Sequence, residues 1–158
     1  MNDFISADDS RYSDRERGLI RIGQTAIAKE DEAALDAYFA DDFVLHGPDG
    51  DADFQFVKDF QASLRNALTG FACERSAVIS RGDLVAARTT MSGVFDNTLT
   101  ISPVGPIKPN GARVVLHLIN FFRFHSDGTL RDEWVQWDNL AFLRQLGVEM
   151  VPAVDPAP

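Results

Sequence analysis

In the stretch DEWVQWDNLAFLRQLG, from Asp132 to Gly147, a carboxylate stands where an alternating segment gives way to an apolar helix. That carboxylate is Asp138. Alternation puts Trp134, Gln136 and Asp138 on one face of a strand. If that face bounds a pocket, burial among rings raises the carboxyl pKa, which suits a general acid/base. Trp134 and Gln136 would then shape the site. A helix beginning at Asn139 explains the same aspartate as an N-cap, worth roughly 1 kcal/mol. The residues alone leave both roles open.

His117 on the preceding strand is the candidate partner, and the turn "HSDGT" decides its direction. A two-residue Asp127-Gly128 turn sets His117 opposite Asp138. A three-residue turn with a Gly bulge pairs His125 with Thr129 and Phe124 with Leu130, and points His117 to the other side of the sheet. Apolar matching of Phe124 with Leu130 favours the second register. The face shared with Asp138 is then Leu116, Leu118, Asn120, Phe122 and Phe124, with Asn120 its one polar group. Asn120 and Phe122 join the candidate ligand contacts. Arg88, mid-strand in "LVAARTTMSG", suits a ligand carboxylate or carbonyl, or an acid at a dimer surface. His46, after a short apolar strand and before Gly47-Pro48, is a substrate-positioning residue or a half-exposed loop histidine.

No spacing of His, Asp or Glu makes a metal set, and the acids of "GPDGDADF" lack the order of a calcium loop. The single cysteine, Cys73, excludes an internal disulfide and has no evident base beside it. A net charge of −9 argues against nucleic acid or an anionic membrane as partner. No apolar run approaches the ~18 residues of a membrane span. The acidic start lacks a signal pattern, which makes the cytoplasm the default compartment.

The elements that must position these residues follow from pattern. Residues 1–12 read as a polar, flexible arm. "SDRE" at Ser13–Glu16 fits a capping box and opens a helix to about Lys29. "EDEAALDAYFADDF" reads as a second helix and "FVLHGPDG" as a short strand. A third helix spans Ala52 to Leu68, with Phe56, Val57, Phe60, Leu64 and Leu68 at helical spacing. Two paired strands meet at Arg81-Gly82-Asp83, which reads as a turn and not an adhesion motif. A Pro/Gly-rich loop at 97–111 is a lid or an edge hairpin. Two long antiparallel strands, a helix from Asn139 to Leu146 and a loose tail at 148–158 close the chain. One α+β domain over 13–147 is expected, with three N-terminal helices packed on a conical, strongly curved, mostly antiparallel sheet. The inside of such a cone is a natural pocket for a small hydrophobic ligand.

The segments "YFADDFVLHGP", "RTTMSGVF", a P-x-G-P loop, "FFRFHSDGTLRDEW" and "WDNLAFLRQLG" occur in the order seen in SnoaL-like polyketide cyclases. From Ser13 to Gly147 the chain resembles that family, part of the nuclear transport factor 2-like superfamily. The resemblance implies a conical barrel, a homodimer and no cofactor. It implies that Asp138 is the general acid/base of an intramolecular aldol closure, assisted by a histidine on the neighbouring strand. It sets His46 at the pocket mouth. The superfamily also holds dehydratases, isomerases, epoxide hydrolases and binding proteins. A cofactor-free enzyme on a ring-containing substrate, a non-catalytic binding or dimerisation module, and another enzyme of the superfamily all stay open.

Overall fold

The computed structural model describes residues 3–151. The chain enters through the expected capping box. The Ser13 hydroxyl accepts from the Glu16 amide at 3.3 Å, and the Glu16 carboxylate accepts from the Ser13 amide at 2.8 Å. Helix α1 (Asp14–Ile22) widens into a π-helical stretch, Gly23–Ile27. A Cβ at Gly23 would stand 3.2 Å from the Cys73 carbonyl oxygen, so this glycine lets the helix lie directly on a strand. Residues before α1 are tied down as well. The Ile5 amide donates to the Arg75 carbonyl at 2.8 Å, and Ala7 is buried.

Helix α2 (Glu32–Tyr38) is capped by Asp31 and runs straight into β1 (Phe39–Gly47). Residues 39–43, expected to be helical, are therefore strand. Packing decides this: Phe39 stacks on Phe54 with ring centroids 4.4 Å apart and meets Phe43 edge-on at 4.8 Å. β2 (Gly50–Ala52) folds back on β1, and α3 (Phe54–Ala67) follows, capped by Asp53. The long strands are β3 (Leu68–Arg81), β4 (Leu84–Phe95), β5 (Arg113–Phe124) and β6 (Leu130–Trp137), and α4 (Asn139–Gln145) ends the domain.

The six strands form one curved open sheet in the order β2-β1-β6-β5-β4-β3. Only the β1–β6 pair is parallel. The 97–111 loop is an edge hairpin with a Leu99–Ile107 bridge, and the Ser63 hydroxyl of α3 accepts from the Thr100 and Ile101 amides at 3.1 Å.

The helices cover one sheet face, where two hydrophobic clusters form. One gathers Leu19, Ile20, Leu35, Phe39, Phe122 and Phe124. The other gathers Leu64, Phe95, Leu116, Leu118, Val135 and Phe142. β5 contributes to both through alternate residues, and Asn120 sits at the seam between them. The site is built at that seam.

Candidate active site

The final hairpin combines both registers considered above. Its turn is the three-residue kind: the His125 amide donates to the Thr129 carbonyl at 2.9 Å, and Phe124 pairs with Leu130. Arg123 then pairs with Asp132, which leaves Arg131 as an extra, bulged residue. One extra residue inverts every later side chain of β6. Glu133, Val135 and Trp137 therefore point inward, opposite Phe122, Asn120 and Leu118. Trp134, Gln136 and Asp138 point outward.

This corrects the expected site. Asp138 is exposed and caps α4, accepting from the Ala141 amide at 2.8 Å. His117 is exposed on the outer face, with Nδ1 3.2 Å from the Thr90 hydroxyl. Gln136 and Arg88 are exposed on that same face. Asn120 and Phe122 are buried on the inner face. The bulge turns Asp138 outward, and alternation along β5 sets His117 on the outer face, so neither faces the interior.

A cavity of about 560 Å³ opens between the sheet, α3 and α4. Its walls are largely apolar, with Phe60, Leu116, Leu118, Val135, Trp137 and Phe142 among them. Its rim is the β1–β2 hairpin around Pro48 to Ala52 and the Ile101–Pro103 segment of the edge hairpin. Three ionisable side chains line it: Asp49 and Asp51 at the rim, and Glu133. Glu133 also lines a second, inner cavity of about 30 Å³.

A chain of donors converges on Glu133. Arg75 Nη1 donates to Thr89 Oγ1 at 2.8 Å. The Thr89 hydroxyl donates to Asn120 Oδ1 at 2.6 Å, and Asn120 Nδ2 donates to Glu133 Oε1 at 2.7 Å. Arg75, Thr89 and Asn120 are all buried. Desolvation raises the Glu133 pKa, while the Arg75 charge and the Asn120 hydrogen bond pull it down by less. The result is a carboxyl held above the ordinary glutamate range. Because Oε1 accepts from Asn120, a proton on Glu133 resides on Oε2. This carboxyl can therefore take and return a proton at one defined atom.

Residues 133, 135 and 137 are also the more apolar alternation of β6, with Val135 and Trp137 beside the glutamate. That was the available signal for Glu133. Arg75 and Thr89 lie far from it in sequence and carried none.

His46 lies outside the cavity and braces its rim. Its Nδ1 is 2.8 Å from Asp51 Oδ1 and its Nε2 is 3.2 Å from Asp132 Oδ1. Its ring stacks on Trp134 at 4.9 Å, and the Arg123 guanidinium lies 5.1 Å from the same indole. Burial lowers the His46 pKa, but hydrogen bonds to Asp51 and Asp132 raise it by more. Its folded-state pKa is thus above the unfolded one. The stabilisation is full below about 6.5 and is lost as pH rises through the folded value. The hairpin amides of Gly47 and Asp49–Asp51 should exchange with deuterium faster at pH 8 than at pH 6, after correction for intrinsic rates. In His46→Gln that difference should vanish; its persistence would mean that His46 does not brace the rim.

Comparison with known proteins places this geometry in a family. The family model of SnoaL-like polyketide cyclases matches residues 19–146. The chain belongs to the SnoaL-like polyketide cyclase family. Solved structures share its nuclear transport factor 2-like cone at low identity. AclR from Streptomyces galilaeus, a proposed hydroxylase, is 21% identical, with a TM-score of 0.71 over 87% of this chain and 84% of its own. IdmH from Streptomyces antibioticus, a proposed polyketide cyclase, is 22% identical, with a TM-score of 0.68 over 86% of this chain and 100% of its own. An LEH-like epoxide hydrolase of M. tuberculosis is 16% identical, with a TM-score of 0.61 over 84% of this chain and 88% of its own. No curated protein matches the sequence. At these identities the solved structures establish the SnoaL-like fold. Among the described residues, no helix is long and apolar enough to cross a membrane.

Proposed function

We propose that this SnoaL-like protein is a cofactor-independent acid/base enzyme acting on a small, largely apolar carbonyl compound, with Glu133 as the proton carrier. The observation that carries this reading is a glutamate that borders both cavities and is oriented by the Arg75–Thr89–Asn120 donor chain. In an aldol closure, Glu133 Oε2 takes a proton from the carbon next to a substrate carbonyl. The resulting enolate attacks a second carbonyl of the same molecule and forms the new carbon–carbon bond. The proton then returns from Oε2 to the new alkoxide. Substrate and product are isomers, so the reaction as written consumes no water, cofactor or metal. The apolar walls exclude competing water and strengthen the hydrogen bond to Oε1.

The half-reaction is testable without the natural substrate. Incubated in D₂O with 2-tetralone, a small ring ketone with acidic α-protons, the protein should accelerate deuterium uptake at those carbons. No acceleration with 2-tetralone or with a linear 1,3-diketone would defeat the acid/base reading.

We also propose that a second copy of the chain covers the outer sheet face. Ile79, Ala86, Phe121, Trp134 and His46 form one row across β3, β4, β5, β6 and β1. Ile79 is 71% exposed, Phe121 51% and Ile119, in the next row, 53%. Arg88, Gln136 and His117 share that face and would be interface residues. Sedimentation should give a dimer for the natural chain and a folded monomer for Phe121→Asp. A monomer at high micromolar concentration without the substitution would refute the assembly.

A further inference from the structure

Helix α3 buries Val57, Leu64 and Ala67 on one stripe, and Gln61 lies on that same stripe. It is 6% exposed, and its Oε1 is buried with no hydrogen-bond partner among the described residues. An unpartnered buried amide oxygen is a net cost to the fold, and a leucine or methionine there would avoid that cost. Gln61 lines both the large cavity and the inner one. Two other residues do the same, Met91 and Glu133. These three side chains form the neck between the chambers. Beyond the neck, the inner cavity is bordered by Tyr38, Arg75, Thr89 and Asn120, and the Tyr38 hydroxyl also lacks a partner among the described residues.

Size and chemistry define what fits. The inner cavity, at about 30 Å³, holds a hydroxyl or a single water and excludes a ring. The outer one, at about 560 Å³, holds a fused ring system. A side-chain amide turns about its last torsion at low cost, so Gln61 can present its oxygen to the neck. An acceptor that lacks a donor in the protein recognises a donor on the ligand.

We propose that Gln61 is a specificity-determining residue: its amide oxygen accepts a hydrogen bond from a hydroxyl or enol on the leading edge of an uncharged, ring-sized substrate. The proposal rests on the acid/base reading for its consequence. An enol gripped by Gln61 sits beside Glu133, with the bulk of the substrate in the outer chamber. The favoured substrates are thus enolised dicarbonyls or phenol-like rings that enter hydroxyl first.

The test compares 2-naphthol with 2-methylnaphthalene, which match in shape and differ in the donor. Binding is read by calorimetry, so it needs no turnover. The natural chain should bind 2-naphthol about tenfold more tightly, the value of one neutral hydrogen bond. Gln61→Met should abolish that preference and leave 2-methylnaphthalene affinity unchanged or improved. Glu133→Gln should retain it. Gln61→Met should also melt higher than the natural chain, because an orphan amide is gone, and Gln61→Leu serves as a second apolar variant. Equal affinity of the natural chain for both ligands would overturn the proposal and mean that a water satisfies the amide. A preference that survives in Gln61→Met and Gln61→Leu, or that disappears only in Glu133→Gln, would overturn it too. A retained naphthol preference in a protein with no deuterium-exchange activity would sink the acid/base reading and leave Gln61's role standing.

Discussion

Glu133→Gln should lower deuterium exchange into 2-tetralone by about 10²–10⁴-fold, the usual contribution of a positioned acid/base group. The substitution keeps the shape and an acceptor for Asn120 Nδ2, so the donor chain survives. Stability should move the other way. A carboxyl whose folded-state pKa lies above its unfolded one stabilises the fold only while protonated, at pH below the unfolded value near 4.3. As pH rises through the folded value, the buried charge becomes a cost. Glu133→Gln should therefore melt higher than the natural chain at pH 8, and the gap should close toward pH 4. Asp138→Asn is the matched control, since Asp138 is exposed and caps α4. It should alter exchange little and leave the melting temperature close to the natural value, because asparagine also caps well. If Asp138→Asn removes activity and Glu133→Gln does not, the assignment is wrong.

Arg75→Met should move the acid limb of the pH–rate profile to higher pH. Arg75 is 3% exposed, and among the described residues no carboxylate lies within ion-pair distance of it. Its guanidinium lies 5.6 Å from the Phe122 ring centroid and donates to Thr89. Its charge favours the ionised form of Glu133 from a distance. Removing a nearby cation typically raises a carboxyl pKa by about one to three pH units. Exchange should fall on the acid side of the shifted limb and recover as pH rises through it. A merely structural arginine would predict a lower melting temperature and an unmoved limb. Thr89→Val breaks the chain one link later and keeps the charge, so its limb should move less.

The α+β order, the helix caps and the inner face of β5 were legible because each rests on local chemistry. Ser13 and Glu16 announce a capping box three residues apart, and period 2 sets Leu116, Leu118, Phe122 and Phe124 on one face, with Asn120 among them. The chemistry of Asp138 was not legible in the same way, because its direction depends on one bulged residue, Arg131. Nothing in "GTLRDEW" marks the bulge, and a period-2 reading carried across it assigns each later β6 side chain to the wrong face. The same shift hid Glu133 beside two tryptophans that face opposite ways. Gln61 was hidden differently. It lies on a stripe that helical spacing marks as core, and an amide there stands out only once the surrounding cavities are seen. His46 was read as a positioning or loop residue; it lies outside the cavity beside the rim, and its partners Asp51 and Asp132 come from two other strands. Long-range pairing of that kind has no local trace.

The most direct measurement is a carbon-13 NMR titration of the Glu133 side-chain carboxyl, assigned through Glu133→Gln. An unperturbed glutamate titrates near ~4.3. A half-buried, largely desolvated carboxyl beside a cavity predicts a midpoint above that value, and a further rise in Arg75→Met. A midpoint at or below the ordinary value would mean a solvated or fully paired carboxylate, and Glu133 would not be the acid/base of this fold.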